Sequence, residues 1–103
     1  MILTGKAKED FCTWINRDIP NKESFECEMN INDLYFKTST ELYALIIEWF
    51  DSVGVYVDVV SNSQTSTFDA YVDDDYIYFY HSRKEATEQA IIKANQIYND
   101  RTK

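Results

Sequence analysis

The last stretch of the chain has the plainest hydrophobic pattern. Ala86, Ala90, Ala94, Ile97 and Tyr98 recur at helical spacing along one stripe. In front of them, Ser82-Arg83-Lys84-Glu85 has the form of a capping box, whose Ser hydroxyl can accept from the N–H three residues on. The spacing predicts a helix over 83–99. Its small stripe suits close packing on a flat partner, a sheet. A second helix is predicted over 40–52, where Leu42, Leu45, Ile46, Trp49 and Phe50 form the stripe and Gly54 supplies a stop. A first helix, about 4–17, carries Ala7, Phe11, Trp14 and Ile15 on one face before Ile19-Pro20 ends it.

Between Gly54 and Ser82 the period falls to two. Val55, Val57 and Val59 alternate with Tyr56, Asp58 and Val60. Phe68, Ala70 and Val72 alternate with Asp69, Tyr71 and Asp73, and Ile77 and Phe79 with Tyr76, Tyr78 and Tyr80. Such alternation marks half-buried antiparallel strands. Asp74-Asp75 is read as a tight turn and residues 61–66 as a looser one. Residues 18–37, with Phe25, Cys27, Met29 and Ile31 alternating against Glu26, Glu28 and Asn30, fit either a short edge strand or an ordered loop. The fold class is therefore α+β: a three-stranded antiparallel meander packed on helices, in the order α-(β or loop)-α-β-β-β-α.

In a meander, strand parity sorts the side chains into two faces. Val55, Val57, Val59, Phe68, Ala70, Val72, Ile77 and Phe79 are expected under the alanine stripe. Tyr56, Asp58, Val60, Asp69, Tyr71, Asp73, Tyr76, Tyr78 and Tyr80 are expected on the other side. Tyrosine offers a large amphipathic contact area at low entropic cost, which suits a recognition surface. It is also a good strand former, and residues 18–37 or an oligomeric partner could cover this face instead.

Charge sharpens the picture. The chain has 103 residues, matching one domain spanning 1–103, and a net charge of −8. No Lys or Arg lies between Thr38 and Ser82, a stretch holding eight acids. The other ten acids and ten bases cancel, so the whole surplus belongs to the segment that carries the strands. A hydrophobic share of 45% argues against disorder. The start MILTGKAKED has no apolar core of signal-peptide length, and the longest apolar run, Leu45-Ile46-Ile47, is too short to span a membrane. A cytoplasmic location is expected, with Cys12 and Cys27 as thiols.

Candidate chemistry is sparse. His81, the only histidine, has no partner nearby in sequence and reads as a strand-end residue. Asp73-Asp74-Asp75 lacks the spaced ligands, glycine and distal Glu of a calcium loop. The two glycines stand apart at 5 and 54, so there is no phosphate loop. No catalytic residue, cofactor or metal is expected, and the protein is read as not an enzyme.

Two resemblances add to this. Ser82-Arg83-Lys84-Glu85-Ala86, continuing to Ala90 and Lys93-Ala94, resembles the last helix of double-stranded-RNA-binding domains. That resemblance implies phosphate contacts at Arg83, Lys84 and Thr87. An acidic total charge opposes it, because phosphate binding needs a basic footprint. The order of a short first helix, then Phe50-Asp51-Ser52-Val53-Gly54-Val55, then RKEATEQAIIKANQIYN, resembles small uncharacterised proteins of tailed bacteriophages and prophages. It implies phage origin and supplies no activity. The expected function is macromolecule binding through the Tyr/Asp face, with nucleic-acid mimicry against a host enzyme as a specific version. A protein partner or a homodimer is expected ahead of nucleic acid.

Overall fold

The computed structural model describes residues 2–18 and 39–102. The predicted strand or loop at 18–37 lies, but for its first residue, outside them. The described elements are α1 (Gly5–Asp18), α2 (Ser39–Ser52), β1 (Val57–Asn62), β2 (Thr67–Val72), β3 (Asp75–Tyr80) and α3 (Arg83–Arg101). The strands form one antiparallel sheet in the order β1-β2-β3. The fold class is α+β as the periodicities predict.

The α3 helix is the hub, in contact with every other described element. Ser82 caps it from an extended backbone, its hydroxyl accepting from the Glu85 N–H at 3.1 Å. Ala86, Ala90, Ile91 and Ala94 are fully buried, against a sheet face that includes Ala70 and Val72. Methyl side chains on both sides let helix and sheet come close. The helix runs to Arg101, past the predicted 99, because the Thr102 N–H and hydroxyl both bond the Tyr98 carbonyl.

On the other flank of α3 the helices meet in an aromatic cluster. Trp49 of α2 lies edge-on to Phe11 of α1 at 6.0 Å and to Tyr98 of α3 at 4.9 Å. The Tyr98 hydroxyl donates to Asp10 Oδ2 across the α1–α3 seam. Burial first, and then Asp10, push the Tyr98 phenol up to about 12.

The α2 helix ends as its glycine predicts. Gly54 sits at φ +82, the Val55 N–H bonds the Phe50 carbonyl, and the Gly54 N–H bonds that of Asp51. This pair of bonds is a Schellman motif, completed by burial of Val55 and Phe50 together. It also corrects the predicted strand start. Val55 spends its N–H on the helix end, and β1 begins two residues later.

The start of α1 carries no such local signal. Its cap comes from the far end of the chain: Asn99 Oδ1 accepts from the Ala7 N–H at 2.8 Å, and Asn99 Nδ2 donates to the Thr4 carbonyl at 3.0 Å. One turn earlier on α3, Asn95 bonds the Thr4 N–H and hydroxyl, each at 3.0 Å. Gly5, at φ +61, passes so near that a Cβ would lie 3.1 Å from the Asn99 amide nitrogen.

These contacts generate two predictions. A Cβ at Gly54 meets open space, so Gly54→Ala isolates the left-handed backbone penalty and costs about 1 kcal/mol in urea unfolding. Gly5→Ala adds a clash with the Asn99 amide and costs more. Tyr98 links stability to alkaline pH. With its folded pKa above the unfolded value near 10, its contribution is full below about pH 10 and is lost towards pH 12. The stability margin of wild type over Tyr98→Phe is therefore flat to about pH 10 and narrows above it, as urea melts across that range will register.

Candidate functional site

All three described helices contact one another or the inner sheet face, and the other face carries none of them. Register assigns that outer face. Asp58 opposes Tyr71, Val60 opposes Asp69 and Asn62 opposes Thr67 across β1 and β2. Tyr71 opposes Tyr76 and Asp69 opposes Phe79 across β2 and β3. Tyr56, just before β1, is 60% exposed, and Val60, Tyr76 and Phe79 are 45, 51 and 41% exposed.

Six of the nine predicted face residues thus share this surface: Tyr56, Asp58, Val60, Asp69, Tyr71 and Tyr76. Three do not. The β2–β3 register slips by one residue, Ala70 pairing with Tyr78 while Tyr71 pairs with Tyr76, so Ile77 is the extra residue of a bulge. Beyond the bulge the parity inverts. Tyr80 opposes Phe68 and packs on the core, while Phe79 turns outward. Tyr78 pairs with the buried Ala70 yet is 54% exposed, its ring 4.8 Å from Phe79 and 5.5 Å from Tyr80. The run Tyr76-Ile77-Tyr78-Phe79-Tyr80 is apolar or aromatic throughout. No polar residue within it marks which side faces water, and that uniformity was the available warning.

Asp73 is the third correction. It belongs to the turn, not to the face. Asp73 and Asp74 take φ +53 and +70, both positive as a two-residue hairpin of type I′ requires. The tight turn is therefore one residue earlier than predicted, and β3 opens at Asp75. Asp73 Oδ1 accepts from the Tyr56 N–H at 2.8 Å, and Oδ2 pairs with Arg101 Nη2 at 2.9 Å. The Asp73 N–H donates to the Tyr56 carbonyl and Arg101 Nη1 to that of Gly54. One carboxylate therefore ties the β2–β3 turn to the entrance of β1 and the end of α3.

The remaining face is aromatic with an acidic component. The Tyr71 and Tyr76 rings meet edge-on at 5.4 Å, and the Tyr76 hydroxyl points to Asp69 Oδ1 at 3.5 Å. Lost solvation first, and then the Asp69 carboxylate, raise the Tyr76 phenol above its ordinary range. Two hollows flank the ring pair. One of about 520 Å³ is bordered by Tyr56, Asp58, Val60 and Tyr71, and one of about 330 Å³ by Thr67, Asp69, Tyr76 and Phe79. The strands themselves contribute no cation, since no Lys or Arg occurs from 38 to 82.

The alternative phosphate contacts come together elsewhere. Arg83, Lys84 and Thr87 border a groove of about 330 Å³ with Tyr43 and Ile47 of α2. The Arg83 guanidinium lies 4.9 Å from the centre of the Phe68 ring. Acids interrupt this basic start: Glu85 stands in the first turn, and Glu88 accepts from the Tyr43 hydroxyl at 3.0 Å. That bond, after burial, raises the Tyr43 phenol. His81 is exposed in the bend between β3 and α3. Cys12 is buried in the core, and Cys27 is outside the described residues.

Among the described residues, no group of three or more His, Cys, Asp or Glu could hold a metal ion, and no helix is long and apolar enough to cross a membrane. No family model, curated protein or solved structure matches the chain. The class defined is an α+β domain with a three-stranded sheet covered by helices on one side.

Asp73 separates structure from recognition. Asp73→Ala removes the turn contacts and the ion pair and lowers stability by about 2 kcal/mol. Asp73→Asn keeps an acceptor and tolerates positive φ, so it costs under about 1 kcal/mol, mainly the exposed ion pair. Chemical denaturation of the two variants measures the difference.

Proposed function

We propose that this domain is a non-enzymatic module that binds a protein partner through its outer sheet face. The observation that carries the reading is the placement of Tyr56, Tyr76, Phe79 and Val60 in solvent, with half-buried Tyr71 between them, beside Asp58 and Asp69, on strands that carry no Lys or Arg. Exposed aromatics supply anchor area, and the carboxylates select for a basic partner. A symmetric homodimer through the same patch would bring two acidic faces together with no Lys or Arg from either sheet, so a different, basic protein is the better fit.

Nucleic-acid mimicry is the narrower version. It is weakened by the loss of Asp73 to the turn, which leaves two carboxylates on the face. The alternative of duplex RNA binding through Arg83, Lys84 and Thr87 has their shared groove in its favour and Glu85 and Glu88 against it. A cytoplasmic, phage-type protein is part of the proposal. It rests on the resemblance of the Phe50–Val55 junction and the last helix.

Affinity capture from host lysate tests the reading. A partner held by wild type is lost from a Tyr71→Ala, Tyr76→Ala, Asp69→Asn variant, is retained by Tyr78→Ala, and is released as salt rises. A partner held equally by the triple variant would defeat the sheet-face assignment.

A further inference from the structure

A further concavity lies where the three described helices meet, and it is independent of the sheet-face reading. It is an open cleft of about 420 Å³ bordered by Asp10, Thr13 and Trp14 of α1, Trp49 and Ser52 of α2, and Tyr98 of α3. Its size is that of a small-ligand site.

The polarity of this cleft is one-sided. The Thr13 hydroxyl donates to the Glu9 carbonyl at 3.0 Å, the Ser52 hydroxyl to the Trp49 carbonyl at 2.6 Å, and the Tyr98 hydroxyl to Asp10. All three hydroxyl protons are spent on the protein, so these groups offer a ligand only lone pairs. Asp10 adds a carboxylate whose side chain is 30% exposed. Of the aromatic walls, Trp14 and Tyr98 are part-exposed and available to a cation, whereas Trp49 is only 2% exposed. The cleft also lies at the C-terminal end of α2, the negative pole of that helix dipole, which has no basic residue in its last turn. Each of these features favours a positively charged donor.

The protein's own Lys6 already points to the same conclusion. Its Nζ lies 3.3 Å from Asp10 Oδ1, on a side chain that is half exposed. An incoming cation would exchange with that ammonium at the carboxylate, with its alkyl stem against the part-exposed Trp14.

We infer that the cleft bordered by Asp10, Trp14, Trp49 and Tyr98 is a binding site for an organic cation, an alkylammonium or guanidinium group. The group arrives either as a free amine or as the side chain of a lysine or arginine. Specificity resides in Asp10 and the Trp14 indole, and Lys6 acts as an internal competitor.

The test uses an intrinsic reporter. The chain has two tryptophans, and both wall this cleft. Fluorescence titration of the whole chain with n-butylammonium chloride gives a saturable change, with a dissociation constant on the order of millimolar for so small a probe. Sodium butyrate at equal ionic strength gives none. Asp10→Asn weakens binding about tenfold or more, and Lys6→Gln tightens it several-fold by removing the competitor, roughly as a surface ion pair allows. A lysine tripeptide with blocked ends assigns the source. Binding at least as tight as that of the free amine supports a side-chain ligand, and binding of the free amine alone supports a small-molecule ligand.

No saturable change with either probe, or an equal response to butyrate, overturns the proposal. Should Asp10→Asn fail to fold by circular dichroism, the surface variant Lys6→Gln decides alone. Unchanged affinity in it overturns the site.

Discussion

Everything in this fold depends on how closely α3 approaches the sheet. Ala86, Ala90 and Ala94 give the helix a flat underside, and Ala70 at the centre of β2 receives it. A larger residue at any of these positions would lift the helix and open the seam, because packed interiors do not absorb added volume freely. The same helix then presents Tyr98, Asn95 and Asn99 to α1 at heights set by that contact. Both halves of the core, aliphatic under the sheet and aromatic among the helices, are thus referenced to one small-residue interface.

A consequence is the division of labour between the two sides of the molecule. The helices bury most of their large apolar side chains on the sheet and on one another, Ile92 excepted, and the outer sheet face keeps its own exposed. The acids are divided too. Asp73 and Asp10 are engaged by Arg101, Lys6 and Tyr98, whereas Asp58 is left in solvent. Net charge alone does not distinguish these roles; geometry does.

Local signals in the sequence were legible. Ser82 capping, the alanine stripe, the Gly54 stop and the valine alternation of β1 each act within a few residues, so each could be read without knowing the fold. The features that escaped depend on distant partners. Asn99 caps Ala7 across 92 positions, and Arg101 reaches Asp73 across 28. The bulge at Ile77 escaped for another reason. A strand with no polar residue between Tyr76 and Tyr80 has no internal marker of register, and its pairing with β2 decides the outcome. Hence Tyr56, Asp58, Asp69, Tyr71 and Tyr76 were placed correctly by parity, Tyr78 and Tyr80 were not, and Phe79 was missed. The three-helix cleft was invisible because its walls come from three separated segments.

The borrowed cap of α1 also sets an order of events. A nascent chain emerges from its N-terminus, and α1 is made long before Asn95 and Asn99 exist to bind Thr4 and Ala7. Until they appear, the first helix has free N–H groups at its start and no helix partner of its own beyond α2. The last helix of the domain closes the structure, bonding Thr4 and Ala7 at the start of the first. Assembly of this domain therefore waits on the synthesis of α3, without which α1 lacks both its cap and one of its two helix partners.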